Sequence, residues 1–346
     1  MSTWASRGGW PGVLAALTAG HDLDRDTAHA ALGEILAGSA TPAQIAGFIV
    51  ALRQKGETVE EMAGMVDAML DAATPLSVPD DAIDIVGTGG SPSRRRHALN
   101  ASTIACFVAA GAGATVCKHG NRKASSTSGS FDLLDELGVP DDVTPADLER
   151  VVGEVGIGFA FARTFHPAMR FAAPVRAELG IPTVFNLLGP LSNPGRVTRQ
   201  VIGTPTWDLA PRMIKVLEAT GSTHAMIVHG HGGLDELTVS GPSKVLELRD
   251  GAVEESEIDA VDLGLNRCEL ADLAGGTPAE NAELTRRILG GEAGARRDLV
   301  ALNAGAGLVV AGIADDLAEG VARAQAAIDD GSAWAKVEAL VAALSG

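Results

Sequence analysis

The sequence has few cysteines, a shortage of basic residues and no long hydrophobic run. Its 346 residues include only Cys106, Cys117 and Cys268. Three scattered cysteines exclude a disulfide framework or a four-thiolate zinc site. They are typical of buried, reduced thiols in a cytosolic protein.

The shortage of basic residues limits the classes of partner. Lys and Arg total 27 against 44 Asp and Glu, so the formal net charge is -17. A surface this acidic repels nucleic acid and anionic membranes unless a local patch reverses the sign. The longest apolar run, residues 103–117, is glycine-rich and too short to span a bilayer. The N-terminus also lacks the basic and long apolar regions of a signal peptide, so we expect a soluble cytoplasmic protein.

The first part of the chain reads as helices only. The length favours about two domains, since domains average roughly 150 residues. Thr41-Pro42 predicts a helix start, and an apolar stripe follows until Gly56. Thr58 and Glu61 have capping-box spacing before a methionine-rich stripe that we interpret as core. We therefore predict a small helical domain over residues 1–76, with a helix near residues 166–180 joined to it.

From Asp80 onward, short β-branched runs alternate with helical patterns and glycine-rich turns. The predicted strands are residues 83–86, 114–116, 183–185 and 225–228, with a further strand and turn at 244–251. The predicted helices include residues 100–110 and 145–155, and the chain returns to helix after Thr277. This alternation predicts a large α/β domain over residues 80–346, with a mainly parallel central sheet and C-terminal helices. Its ligand site is expected at the carboxyl ends of the strands.

The first predicted strand ends in a glycine-rich turn, Gly87-Thr88-Gly89-Gly90, and Asn100-Ala101-Ser102-Thr103 then opens a helix. Glycines let main-chain N–H groups approach a phosphate, and a helix N-terminus adds free donors. The spacing matches neither the dinucleotide nor the P-loop fingerprint. An ordinary capped strand-to-helix turn is the alternative interpretation.

The second predicted strand ends in a basic, hydroxyl-rich loop, Lys118-His119-Gly120-Asn121-Arg122-Lys123, followed by several serines. Point charges, hydroxyl donors and free amides are what a polyphosphate requires. Residues 91–123 contain no Asp or Glu. An acidic chain with one cationic pair of loops favours a small anionic ligand over a polymer, although a solvated basic loop has the same composition.

Two further features follow along the chain. Asp235-Glu236 lies in a turn after the strand at 225–228. Adjacent carboxylates favour neutralisation by Mg²⁺ shared with substrate phosphates, unless they are simply solvated. The segment from Arg163 to Arg176 places guanidinium groups beside apolar surface, which suits an aromatic carboxylate.

These motifs together resemble the anthranilate phosphoribosyltransferase family. GTGG, NAST, KHGNR, FHPAMR with PVR, FNLLGPLSNP and GLDEL occur in this order, from about residue 10 to 335. The resemblance implies a homodimer whose subunits hinge a small helical domain on a large α/β domain. It also implies transfer of phosphoribose from 5-phosphoribosyl 1-diphosphate to anthranilate, with release of pyrophosphate, in tryptophan biosynthesis.

The resemblance also implies the site residues, position by position. The expected donor-binding residues are Gly87, Gly90, Ser91, Asn100, Ser102, Thr103, Lys118, His119, Gly120, Asn121, Arg122, Ser125, Ser126 and Ser130. The expected Mg²⁺ ligands are Ser102, Asp235 and Glu236. The expected anthranilate-binding residues are Gly87, Asn121 and Arg176.

One segment departs from the family pattern GTGGD-G-x-x-T-x-N. Ser91 stands where Asp is expected, Ala98 replaces Thr, and the loop is three residues longer, with arginines at 94–96. Our hypothesis is that these arginines take over part of pyrophosphate binding from the metal. The departure leaves open a paralogue with another acceptor or donor. A pyrimidine nucleoside phosphorylase and a non-catalytic nucleic-acid-binding homologue are the remaining alternatives.

Overall fold

A computed structural model describes residues 3–89, 99–122 and 127–345. Its N-terminal part is helical. The helices are α1 (Thr3–Ser6), α2 (Gly9–Thr18), α3 (Arg25–Leu36), α4 (Pro42–Lys55) and α5 (Val59–Asp71). The sequence-based helix starts are confirmed, because Thr41 and Thr58 each cap the following helix with a complete capping box.

The rest of the chain alternates strands and helices around one sheet. The strands are β1 (Ile83–Gly87), β2 (Val116–Gly120), β3 (Ile157–Phe161), β4 (Arg199–Gly203), β5 (His224–Gly230), β6 (Ser243–Arg249) and β7 (Ala252–Ile258). In the described ranges the strand order is β3-β2-β1-β4-β5-β6-β7. Strands β1 to β5 pair in parallel, while β6 and β7 form an antiparallel edge. The predicted α/β class with a mainly parallel sheet is confirmed.

The helices that follow β1 cover both faces of this sheet. They are α6 (Ala101–Gly111), α7 (Ser130–Glu136), α8 (Pro145–Glu154), α9 (Ala162–Phe165), α10 (Ala173–Leu179), α11 (Phe185–Leu191), α12 (Ala210–Ala219), α13 (Pro278–Leu289), α14 (Ala295–Ala311), α15 (Leu317–Asp329) and α16 (Ser332–Leu344). The return to helix after Thr277 is confirmed. No helix in the described residues is long and apolar enough to cross a membrane.

One predicted strand is wrong and another is displaced, since β2 spans Val116–Gly120 and not 114–116, so that Lys118, His119 and Gly120 belong to the strand and not to the loop after it. Residues 183–185 were expected to extend, but helix α11 begins at Phe185 and Val184 already has helical backbone angles. The side chain of Asn186 accepts a hydrogen bond from the Thr183 N–H at 2.9 Å, which stabilises a helix start. Val184 and Phe185 are buried in the core, so tertiary packing outweighs their β propensity.

Two hydrophobic cores lie on opposite faces of the sheet, because successive strand residues point to opposite sides. In β4, Val201 belongs to the core formed with α6 and α14, whereas Ile202 belongs to the core on the other face. That second core continues through α12 and α11 into the N-terminal helices. Contacts of α5 with α12 and of α4 with α10 therefore place the helical part beside the strand ends.

Candidate active site

The carboxyl ends of the parallel strands meet at one edge of the sheet, and a cleft of about 570 Å³ opens there. Strand ends, the 162–176 segment and helix α11 form its walls, and Met69 of α5 closes one side. The polar side chains that line it belong to Thr88, His119, Asn121, Arg163, His166, Arg170, Arg176 and Asn186. This position is the one that ligands occupy in open α/β sheets.

Three of the predicted acceptor-binding residues line this cleft together. Gly87 ends β1, Asn121 follows β2, and Arg176 lies on α10. The Arg176 guanidinium stands 5.0 Å from the centre of the Phe185 ring. Burial lowers the pKa of Arg176 from its ordinary value, and among the described residues no carboxylate forms an ion pair with it. The site therefore contains a partly desolvated cation beside an aromatic ring.

The predicted metal-binding carboxylates lie close to Gly87. Asp235 and Glu236 are only 8% and 5% exposed. The Gly89 N–H donates to Asp235 Oδ2 at 2.9 Å, and a Cβ on Gly87 would overlap the same oxygen. Glycine at position 87 thus lets the carboxylate approach the end of β1. The Asp235 turn and the cleft adjoin at this residue.

The end of β2 is held by a buried polar network. Asp84 Oδ2 accepts hydrogen bonds from the His119 N–H at 3.2 Å and from Asn193 Nδ2 at 2.8 Å. The buried Lys118 ammonium donates to the carbonyl oxygen of Ile85. Burial raises the pKa of Asp84 to about 6. This network sets the backbone course of the basic loop from the strand beneath it.

His119 faces the cleft as a neutral imidazole. Burial, together with the neighbouring His166, lowers the pKa of His119 to about 3. The two rings lie 5.1 Å apart, and Nδ1 of His119 contacts the Gly189 carbonyl oxygen at 3.1 Å. Nε2 of His119 is buried and has no hydrogen-bond partner in the described part of the chain. With Nδ1 as donor to Gly189, Nε2 is left as a buried acceptor beside the cleft.

Ser130 fixes the backbone of Asn121. Its hydroxyl donates to the Asn121 carbonyl oxygen at 3.0 Å, and the Asn121 N–H contacts the same hydroxyl oxygen at 3.1 Å. A Cβ on Gly120 would overlap this hydroxyl, so glycine is required for the close approach. Ser130 therefore lies at the predicted loop and orients it.

Arg122 was expected to bind the phosphoribosyl donor, but its side chain is paired with carboxylates of the protein. Its guanidinium forms ion pairs with Asp132 at 3.3 Å and Asp135 at 2.6 Å, and with Asp141. These carboxylates raise the pKa of Arg122 above its ordinary value. Three carboxylates neutralise the charge before any ligand binds, so the side chain ties the loop to α7 and to the segment that follows it.

Helix α6 begins after Asn100, as predicted, although the side chain of this asparagine has other partners than a cap would give it. Asn100 is the N-cap residue but makes no side-chain capping bond. Its Oδ1 instead accepts from Ser128 Oγ at 2.9 Å and from Asn281 Nδ2 at 2.8 Å. Ser102 and Thr103 occupy the first turn of α6. Gly90, Ser91, Ser125 and Ser126, with the arginines at 94–96, lie outside the described residues.

Sequence reasoning missed several residues that shape the site. Met69 belongs to the core, as interpreted, but it also lines the cleft, and no local signal distinguishes it from the other methionines. Asp84 and Asn193 were also missed, since they pair across 109 residues of sequence. A buried aspartate in an otherwise apolar strand was the available signal.

The fold combines a helical bundle with an α/β domain whose strand ends open on a polar cleft. The glycosyl transferase family model for the helical bundle domain matches residues 11–73, and the model for the a/b domain of that family matches residues 79–334. The chain is therefore a glycosyltransferase.

Individual relatives show to which family of glycosyltransferases the chain belongs. The chain is 51% identical over 339 residues to an anthranilate phosphoribosyltransferase of a Nocardioides species, covering 96% of this chain and 98% of the relative. The chain belongs to the anthranilate phosphoribosyltransferase family.

Solved structures agree with this assignment. The enzyme of that name from Thermus thermophilus superposes with a TM-score of 0.92 at 43% identity, covering 96% of this chain and 99% of the other. The Saccharomyces cerevisiae enzyme in complex with PRPP and Mg gives a TM-score of 0.87 at 28% identity, covering 97% and 98%. That yeast enzyme has also been solved in complex with 4-fluoroanthranilate.

Proposed function

We propose that this chain transfers the 5-phosphoribosyl group of PRPP (5-phosphoribosyl 1-diphosphate) to the amine of anthranilate, releasing pyrophosphate, in tryptophan biosynthesis. The observation that carries the proposal is the environment of Arg176. Its guanidinium is partly buried and lies over Phe185, and no carboxylate in the described residues pairs with it. An aromatic carboxylate supplies both the missing charge and a ring for the apolar wall.

Anthranilate is proposed to bind at Gly87, Asn121 and Arg176, which line one cleft. The carboxylate pairs with Arg176, and the amine points toward the end of β1. The yeast relative solved with 4-fluoroanthranilate supports an acceptor of this chemical class. The neutral His119 beside Asn121 adds no positive charge that would compete for the carboxylate.

The donor is proposed to bind across the first two strand ends and the turn before α6. Its contacts are Gly87, Gly90, Ser91, Asn100, Ser102, Thr103, the loop from Lys118 to Ser126, and Ser130. Helix-start N–H groups and hydroxyls of the α6 turn suit a diphosphate. Arg122 is proposed to contribute through its main chain, since three aspartates already neutralise its guanidinium.

The residues proposed as metal ligands have the chemistry that Mg²⁺ requires. Asp235 and Glu236 offer carboxylate oxygens, and Ser102 offers a hydroxyl; such hard oxygen ligands are those that Mg²⁺ prefers. The described residues contain no cluster of three His, Cys, Asp or Glu side chains that could hold a metal alone. Two carboxylates and one hydroxyl leave coordination positions that substrate phosphates would complete. Bound Mg²⁺ would supply charge neutralisation for the leaving pyrophosphate.

The residues of this chain are proposed to act by aligning the two substrates and by excluding water. Anthranilate already carries a usable nucleophile at neutral pH, so alignment of amine and sugar is the main requirement. We propose that the unit over residues 1–76 closes on the unit over 80–346, with the 166–180 segment moving with the small unit. Closure would exclude water from the activated sugar. Packing of α10 against α4 supports this grouping.

The assembly is proposed to be a cytoplasmic homodimer. Val50 on α4 and Ile181 after α10 are large apolar side chains with 42% and 43% exposure. Exposed apolar side chains of this kind are candidates for the surface that a second copy covers. The three cysteines are free thiols, which is typical of a reducing compartment.

The first experiment follows anthranilate fluorescence after purified protein, PRPP and Mg²⁺ are mixed. We expect a donor-dependent loss of fluorescence. Arg176→Ala should raise the KM for anthranilate about 100-fold, because a charge-assisted pair at a partly buried site is worth about 2–3 kcal/mol. Arg150→Ala is the matched control, since Arg150 is exposed on α8 and pairs only with neighbours on its own helix and with Ala343.

The outcomes separate the alternative functions. A paralogue with a different acceptor would cause no loss of anthranilate fluorescence at any Mg²⁺ concentration. It would instead release pyrophosphate from PRPP when another aromatic amine is added. Phosphate-dependent cleavage of thymidine would identify a nucleoside phosphorylase. Binding of single-stranded DNA at low salt without any turnover would favour the non-catalytic homologue.

A further inference from the structure

Helix α14 contacts the Asp235 turn through one buried side chain. Asn303 is 2% exposed, and its amide forms hydrogen bonds with both main-chain groups of Leu237. Nδ2 donates to the Leu237 carbonyl oxygen at 2.9 Å, and Oδ1 accepts from the Leu237 N–H at 3.0 Å. The same Nδ2 donates to the Leu299 carbonyl oxygen, one helical turn back, at 2.9 Å. Paired bonds of this kind fix both the position and the orientation of a backbone.

The opposite side of the same turn rests on the ends of three strands. A Cβ on Gly203 would overlap the main-chain carbonyl of Asp235, and one on Gly230 would overlap the carbonyl oxygen of Glu236. Gly87 pairs with Gly203 across β1 and β4, and its own Cβ would overlap the Asp235 carboxylate. The turn therefore packs against Gly87, Gly203 and Gly230, which together form a glycine floor. A larger residue at any of these positions would overlap the turn.

We propose that Asn303 is a positioning residue that holds Asp235 and Glu236 against this glycine floor, and thereby sets the affinity for the diphosphate of the donor with its Mg²⁺. The inference rests on the proposed function, since that function makes these carboxylates part of the donor site. Leu237 follows Glu236 directly, so a shift of Leu237 moves both carboxylates. Helix α14 is a seventeen-residue core helix and provides a rigid anchor.

Loss of the Asn303 amide has a specific consequence. The Leu237 N–H and carbonyl groups would be buried without partners, which costs about 1–3 kcal/mol for each group. The turn would move until these groups found water or another partner. Displacement of the carboxylates weakens donor binding. The acceptor pocket shares only Gly87 with this turn, whereas Arg176 on α10 and Asn121 after β2 keep their positions. A purely structural asparagine would lower stability without this selectivity.

The test measures binding of PRPP with Mg²⁺ by calorimetry, without acceptor. Asn303→Leu keeps a similar volume and removes both bonds to Leu237, and we expect Kd to rise about tenfold or more. Asn303→Asp retains the acceptor toward the Leu237 N–H but sets an oxygen against the carbonyl oxygens of Leu237 and Leu299, and should also raise Kd. Gly203→Ala presses on the turn from the opposite side and should also raise Kd. In each variant the KM for anthranilate at saturating donor should stay within about twofold of wild type.

Val309→Ala is the matched control, because Val309 is buried on α14 two turns from Asn303. It should lower Tm but leave Kd unchanged. The inference is overturned if Asn303→Leu and Asn303→Asp bind PRPP as wild type does while Tm falls, or if the KM for anthranilate rises as much as Kd. Failure of the wild-type protein to bind PRPP would instead overturn the proposed function, and the inference with it. Should Asn303→Leu fail to fold, Asn303→Asp and Gly203→Ala still decide the question.

Discussion

The side-chain amide of Asn281 donates a 2.8 Å hydrogen bond to Oδ1 of Asn100, 181 residues earlier in the chain. Asn281 lies on α13 and is fully buried, whereas Asn100 opens α6 at the candidate donor site. Ser128 Oγ donates to the same oxygen at 2.9 Å, and Asn281 Oδ1 accepts from the Gly276 N–H at 2.8 Å. A C-terminal helix therefore orients a residue of the first βα turn.

This relationship predicts that Asn281→Leu affects both the stability of the protein and the KM for PRPP. The change leaves the Gly276 N–H without this partner and removes a donor from Asn100, so we expect a stability loss of about 1–3 kcal/mol. The KM for PRPP should also rise severalfold, because Asn100 loses its orientation. Thr285→Val, one turn along α13, is the control, since its hydroxyl donates to the main-chain carbonyl oxygen of Asn281 and the change leaves the Asn281 side chain in place. Equal KM values in the two variants would show that Asn281 has no influence on the site.

Asp84 predicts a pH dependence of stability. Burial raises its pKa from 3.8 to about 6, so between these values the folded protein holds a proton that the unfolded chain has released. The contribution of Asp84 to the free energy of unfolding is fully present below about pH 4. It decreases by about 3 kcal/mol as the pH rises to about 6.

Denaturation of wild type and Asp84→Asn across this pH range measures the effect. The stability of the wild type relative to the variant should fall as the pH rises, and the difference should become constant above about pH 6. His119, whose lowered pKa gives the opposite trend, is present in both proteins and cancels. A difference that does not change with pH would contradict the prediction.

Arg122→Gln tests whether the guanidinium binds donor. The residue is paired with Asp132, Asp135 and Asp141, so we expect the KM for PRPP to change less than threefold. Stability should fall by about 1 kcal/mol, since partly exposed ion pairs contribute little singly, and the loss should shrink at high salt. Steady-state kinetics and urea denaturation at low and high salt measure both effects. A KM increase of tenfold or more would mean that the side chain leaves the aspartates to contact the donor.

Close packing of α3 on α5 predicts opposite effects for two helical glycines. A Cβ on Gly64 would overlap the carbonyl oxygen of Arg25, so Gly64→Ala should destabilise the protein by more than about 2 kcal/mol. Gly33 lies within α3 with no atom near its Cβ position, so Gly33→Ala should stabilise by about 0.5–1 kcal/mol. Chemical denaturation of the pair measures this contrast. Equal effects would mean that α3 and α5 are not in close contact.

Much of the architecture follows from local patterns. The capping boxes at Thr41 and Thr58, the strands at 83–86 and 225–228 and the C-terminal helices could be predicted, because their signals lie within a few residues. The glycine-rich end of β1 and the carboxylate pair at 235–236 could also be found from composition alone. Strands β3 and β4 were both missed, and in β4 Arg199 and Gln200 interrupt the apolar pattern.

The sequence by itself determined the class of fold, the family and which side chains the site could use. Only the tertiary structure decided how those side chains are held. It turned residues 183–185 into a helix start, neutralised Arg122 with three aspartates, and left Arg176 without a carboxylate partner in the described residues. It also placed Asn281 and Asn303 against loops far earlier in the chain. The physical reason is that caps and strand patterns are local, whereas burial, charge neutralisation and hydrogen-bond partners depend on groups that only folding brings together.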